Sequence, residues 1–195
     1  ARYAYNNTGY FLLAEVVERV TGKSYAENLD ARILIPLKMT RTGVEREGLE
    51  LSRKALGYLR KPGGYVLEPY VFMPLIAGCG DMYSTVEDLF KWNLALDRES
   101  LLSRETRDFM FTPYGNRFEG HAYAWDHRRL VLKRSKKRVS LAAFNGTLFG
   151  FMTDGIRVED GEYFIALFNN TGEFDVWGIS HALINILYEE DSDNE

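Results

Sequence analysis

The chain has 195 residues, 46% of them hydrophobic and 14% aromatic, enough to bury a sizeable core in one domain or two small subdomains. Its formal charge of -4 carries no basic excess, which removes the electrostatic case for binding nucleic acid or an anionic membrane. A single cysteine, Cys79, excludes an intrachain disulfide framework and reads as a small packed residue, and no run approaches the about 18 apolar residues of a membrane span.

The first residue is Ala1, and the chain moves at once into the aromatic, strand-like Arg2-Tyr3-Ala4-Tyr5. Such a segment belongs beside others, so a preceding partner segment is expected. Thr8 is placed to cap a helix whose Leu12, Leu13, Val16, Val17 and Val20 share one face, before Gly22 stops it. Ser24 with Glu27 forms a capping box for a second helix to about Ile33, ended by Pro36. From Gly43 to Pro74, glycines, prolines and tyrosines break the pattern into irregular structure with short strands. Ser84 and Glu87 predict another capping box, followed at helical spacing by Val86, Leu89, Asn93 and Leu96 with Trp92 beside them; a shorter helix follows Ser103.

After His121 the period changes. Residues 130–132, 139–144, 152–158 and 163–168 read as strands of an antiparallel meander. A last helix, from about Val176 to Tyr188, carries Val176, Ile179, Leu183, Ile186 and Leu187 on a face suited to cover that sheet, and the acidic tail from Glu189 is expected to fray. The prediction is an α+β chain: a helical subdomain over 1–125, strands and a closing helix over 126–190, and a tail over 191–195. The basic run from Lys133 to Arg138 would alone suggest a nucleic-acid patch, but its flanking strands make it a solvated hairpin tip. His121, His127 and His181 lack metal-ligand spacing, so no metal or other cofactor is expected.

The candidate chemistry begins at Tyr5-Asn6-Asn7-Thr8-Gly9-Tyr10, where a tyrosine and an asparagine two apart can point the same way from a turn. The triplet by itself fits a packed tyrosine and a helix-entry asparagine equally. Its context is more specific: Leu-Leu-x-x-Val-Val-Glu-x-Val, then Thr-Gly-Lys-Ser-Tyr, then Ile-x-x-Pro-Leu-x-Met, and later Gly78-Cys79-Gly80-Asp81-Met82-Tyr83-Ser84-Thr85-Val86-Glu87-Asp88-Leu89 with Lys91-Trp92. In this order the motifs resemble the serine β-lactamase and penicillin-binding-protein family, in its class C β-lactamase, D-alanyl-D-alanine carboxypeptidase and esterase branches, up to about Asn170.

The resemblance implies a β-lactamase/transpeptidase-like fold and a serine hydrolase that opens an amide, ester or lactam, a small-molecule or peptide-like substrate, through an acyl-enzyme. In such enzymes the serine lies in Ser-x-x-Lys, upstream of the tyrosine motif. By resemblance Tyr5 is the phenol that takes the serine proton and returns one to the leaving group, and Asn7 holds substrate or lysine by hydrogen bonds. The family's third element, Lys-Thr-Gly or His-x-Gly on a strand, corresponds to Phe144-Asn145-Gly146-Thr147, with phenylalanine where the cation belongs. Gly146 permits close approach, and the Thr147 N–H can serve as an oxyanion donor. Asn145-Gly146 also fits a plain hairpin turn. Arg157 or Lys133 is a substitute anchor for a substrate carboxylate. Asp81, where the family has glycine, lines the cleft or serves as a turn carboxylate.

No serine here is followed three residues later by lysine; Ser52-Arg53-Lys54-Ala55 and Ser135-Lys136-Lys137-Arg138 come nearest. The resemblance therefore implies the C-terminal portion of such a protein, inactive alone, joined to an upstream fragment or to itself through an open sheet edge. It also suggests a periplasmic or secreted location. The rival is a non-catalytic binding protein that keeps the fold.

Overall fold

Helix α1 (Thr8–Thr21) ends where predicted, at Gly22, whose φ of 68° lets its N–H donate back to Glu18 O. Its start differs from expectation. Thr8 is the first helical residue; Asn7 takes the cap position without a side-chain cap, and Asn6 Oδ1 accepts the Gly9 N–H at 2.8 Å. Helix α2 (Tyr25–Leu29) opens on the expected capping box, with Ser24 Oγ and Glu27 Oε2 each accepting the other's backbone N–H. Pro36 does not end it: a widened π turn, Asp30–Leu34, leads into α3 (Ile35–Leu37), and Pro36 falls in that helix's first turn, where its missing N–H is not needed.

Short strand β1 (Gly43–Val44) follows, then the hairpin of β2 (Tyr58–Lys61) and β3 (Gly64–Leu67), and β4 (Met82–Tyr83), which pairs antiparallel with β1. Helix α4 (Val86–Asp97) is capped by Thr85, which accepts the Asp88 N–H, and not by the expected Ser84; the Ser84 hydroxyl is instead 2.8 Å from Thr42 Oγ1. Helix α5 (Arg104–Phe111) precedes β5 (Asp126–Val131), β6 (Arg138–Leu148), β7 (Phe151–Val158), β8 (Tyr163–Asn169) and the closing α6 (Val176–Glu190). This computed structural model describes residues 4–46, 48–49, 51–52, 54–69, 73–115 and 120–190; Arg2, Tyr3 and the tail over 191–195 lie outside them. Ala4 and Tyr5 are irregular, not strand.

Among the described residues two compact units result, one within 4–55 and 69–104, the other within 56–68 and 105–190. In the first, Asp88 ties α4 to the loop after α3. Only 1% exposed, it accepts the Arg41 N–H at 2.8 Å, the Thr42 hydroxyl at 2.9 Å and Lys91 Nζ at 2.6 Å. Burial pushes its carboxyl up, but the bonds from Lys91, Arg41 and Thr42, with the Lys91 charge, outweigh that and hold it below its ordinary value. The apolar face of α1 is open: Leu12, Leu13, Val16, Val17 and Val20 are exposed, Val20 by 81%, and the residue α1 buries is Ala14.

The second unit is built on the antiparallel sheet β5-β6-β7-β8, the predicted meander. Val139, Leu141 and Ala143 of β6, Ile156 and Val158 of β7, Ile165 of β8 and Leu132 pack with Ile184 of α6 into a buried core. Each such aliphatic side chain contributes about 1.5–3 kcal/mol. The residues that α6 buries are Val176, Ser180, Ile184 and Asn185, whereas Leu183 and Ile186, expected among them, are exposed. The shift has a polar cause. Ser180 faces Asp154 of β7, donating its hydroxyl to Oδ2 at 2.5 Å, so a serine occupies the centre of the contact stripe. Residues 133–138 form the exposed tip of the β5–β6 hairpin, as expected.

Asp154 is 1% exposed, and its Oδ1 has no hydrogen-bond partner among the described residues. Burial raises its carboxyl above the ordinary range, only partly offset by the Ser180 hydroxyl and the charges of His181 and Arg128. A carboxyl raised in the folded state stabilises fully below its unfolded pKa of about 4, and that contribution is lost as pH rises through the folded value. Asp154→Asn, which cannot ionise, should therefore gain thermal stability relative to wild type as pH rises from about 4 toward neutrality. Melting curves across that range check it; a pH-independent difference would contradict it.

Candidate active site

The residues singled out by sequence fall into two groups, one in each unit. Tyr5 and Asn7 stand together at the entry to α1. Tyr5 is 76% exposed in the irregular lead-in, and Asn7 is also exposed. The Asn7 main-chain carbonyl accepts the Tyr10 and Phe11 N–H groups, both at 3.1 Å, while its side chain takes no capping bond. Phenol and carboxamide are thus both presented to solvent from one short turn.

The second group lies on β6, and the backbone decides what it can do. Paired antiparallel residues either exchange two hydrogen bonds or none, in alternation. The Leu132 N–H donates to Lys137 O at 2.9 Å, in the register that pairs Leu130 with Val139, so odd-numbered residues of β6 direct their N–H and C=O groups toward β5. The His127 N–H, donated away from β6 to Gly120 O, agrees, as does the Ser140 N–H, donated to Glu159 on the β7 side. Pairing with β5 ends at Asp126 opposite Ala143, but pairing with β7 runs on to Leu148 opposite Phe151. Asn145 and Thr147 therefore direct their backbone groups to a side where no described strand lies.

Asn145 and Gly146 are not a hairpin turn. That turn comes later, at Phe149 and Gly150, with φ of 42° and 78°, the left-handed pair a two-residue hairpin demands.

Phe144 faces away from α6. Paired side chains share a face, so Phe144 lies over Gly155, and a β-carbon added to Gly155 would overlap the ring. Continuing the β5–β6 register by one step brings Trp125 opposite Phe144, and the rings meet edge to face, 5.2 Å between centroids at 82°. Trp125 is 5% exposed and stacks on Phe111 at 4.7 Å. Trp125 and Gly155 were not among the sequence candidates, because their partnership with Phe144 is visible only once the register is known.

Neither substitute anchor reaches this stretch. Arg157 shares the Phe144 face but is buried with its guanidinium 5.5 Å from the Phe111 ring. Lys133 sits in the turn at the other end of β6, roughly 30 Å along the strand from Gly146. Asp81 is buried and accepts the Gly78 N–H at 2.9 Å, which makes it a turn carboxylate. Cys79 is half-buried with its thiol on Ile76 O; burial first, and then the Asp81 charge, push the thiol up, away from reactivity. Among the described residues no group of three or more His, Cys, Asp and Glu is arranged to hold a metal ion, and no helix is long and apolar enough to cross a membrane.

The Beta-lactamase family model matches residues 1–162. Penicillin-binding protein 4* of Bacillus subtilis is 28% identical over 88% of this chain and 40% of its own length. The teichoic acid D-alanine hydrolase of Staphylococcus aureus is 32% identical over 60% of this chain and 29% of its own. Among solved structures, the octameric penicillin-binding protein homologue from Pyrococcus abyssi matches with a TM-score of 0.79 at 27% identity, over 97% of this chain and 43% of that one. The chain thus spans less than half the length of these relatives. The fold shared with that structure is the α+β arrangement seen here.

The Phe144–Gly155 fit yields a double-mutant prediction. Gly155→Ala should destabilise the chain by about 1–3 kcal/mol through overpacking, and Phe144→Ala should suppress most of that increment in the double variant. Denaturant melts of the four proteins measure it; additive effects would mean that the ring does not rest on Gly155.

Proposed function

Since the chain belongs to the beta-lactamase family, we propose that it is the C-terminal part of a serine hydrolase that cleaves an amide, ester or lactam through an acyl-enzyme. The observation that carries this reading is the overhang of β6, where the Thr147 N–H points to a side on which no described strand lies. A fixed backbone donor at such an edge can stabilise the oxyanion that forms as the carbonyl is attacked. The exposed Tyr5 phenol accepts the serine proton and later returns one to the leaving group, and the Asn7 carboxamide hydrogen-bonds the substrate. The serine and its lysine come from sequence outside these 195 residues, which contain no Ser-x-x-Lys.

Two apolar features suit the chain to a partner. One is the open face of α1. The other is the outer side of β8, a strand of sequence Tyr-Phe-Ile-Ala-Leu-Phe-Asn with no charge to discourage strand pairing. They accept the rest of the protein or, in the isolated chain, a second copy. A non-catalytic binding protein of the same fold is the second reading, favoured by Phe144 at the position where the resemblance calls for a cation.

Nitrocefin and p-nitrophenyl ester turnover by the complete protein, with none by the isolated chain, is the expected result. In the complete protein, Tyr5→Phe should lower kcat by about 10²–10⁴-fold. Thr147→Pro, which deletes one N–H from the open side, should lower it by about 10²–10³-fold. Full activity of the isolated chain would refute an external nucleophile, and a complete protein that is folded yet inert, and unlabelled by a fluorophosphonate, would favour the binding reading. Sedimentation velocity should further find the isolated chain self-associated, with Val16→Lys, Val20→Lys and Phe168→Lys shifting it toward monomer. A monomeric wild-type chain would dispose of that expectation.

A further inference from the structure

We infer that Phe144 and Trp125 form the specificity wall of the site and that the protein acts on acyl donors whose group beside β6 is uncharged and apolar. The inference rests on the hydrolase reading above and concerns what lies next to the acyl group. The unpaired side of β6 begins where Trp125 ends the β5 register, so a substrate chain laid along Asn145 and Thr147 meets the Phe144–Trp125 step at one end.

The step is rigid. Phe144 rests on Gly155 beneath it and against the Trp125 edge, and Trp125 is backed in turn by Phe111. The guanidinium of Arg157, on the same face, lies over Phe111 in the interior, and Asp126, next to Trp125, is an acid bound to Arg128. A carboxylate beside the two rings would lose water and lie near the Asp126 acid, whereas an alkyl or aryl group would gain burial.

The test compares two esters of equal chain length in the complete protein, p-nitrophenyl valerate and mono-p-nitrophenyl glutarate, after subtraction of spontaneous hydrolysis. Wild type is expected to favour the valerate in kcat/KM by at least about tenfold. Phe144→Lys should lower that ratio to near or below unity, and Phe144→Leu should keep it above unity. Equal turnover of the two esters, or a preference for the glutarate, overturns the inference while leaving the hydrolase reading intact. So does an unchanged ratio in a folded Phe144→Lys protein. If that variant does not fold, the wild-type and Phe144→Leu ratios decide alone. Turnover of neither ester by the folded complete protein removes the hydrolase reading, and this inference with it.

Discussion

A β-strand has two hydrogen-bonding sides, and β6 satisfies one of them along more of its length than the other. Strand β7 accompanies it to Leu148, while β5 leaves it after Ala143. The consequence is set by backbone geometry alone: alternate residues past that point, Asn145 and Thr147, hold N–H and C=O groups that no strand among the described residues receives. The other features of the candidate site adjust to this overhang. Trp125 closes the end of the shorter strand, Phe144 packs against it, and Gly155 leaves room beneath the ring. A longer β5 would have paired those groups.

Two buried aspartates illustrate how local partners decide the state of one residue type. Asp88 and Asp154 are equally withdrawn from solvent, so both bear the cost of removing a carboxylate from water. Asp88 meets an amide, a hydroxyl and an ammonium, and is held ionised. Asp154 meets a single hydroxyl and is pushed toward its neutral form. The first fastens the start of α4 to the loop that follows α3. The second places a polar pair in the stripe by which α6 grips the sheet, and the helix is rotated to suit.

The two outer strands of the sheet are made differently. Strand β5, Asp-His-Arg-Arg-Leu-Val, carries Asp126, Arg128 and Arg129, a composition that discourages a further strand; β8 carries no charge at all. The open face of α1 has the same character in the helical unit. Both are surfaces whose composition belongs to an interior, in a chain that spans less than half the length of the curated relatives it matches.

Local patterning determined much of this. The apolar spacing of α1, the Ser24–Glu27 box and the four strands each depend on neighbours within a few residues, and these elements form as expected, although β5 begins four residues earlier than expected, at Asp126, and β6 runs on past Phe144 to Leu148. The ordered motifs likewise identify the family. Misjudged details were those in which a residue answers to something distant. Ser84 turns to Thr42 instead of capping α4, Pro36 is absorbed by a π turn, and α6 rotates so that Ser180 can reach Asp154. The open side of β6, the ring of Phe144 lying over Gly155, and the burial of Arg157 against Phe111 were decided by tertiary structure alone. Register and packing join residues far apart in sequence, and no local period encodes which strand stops first.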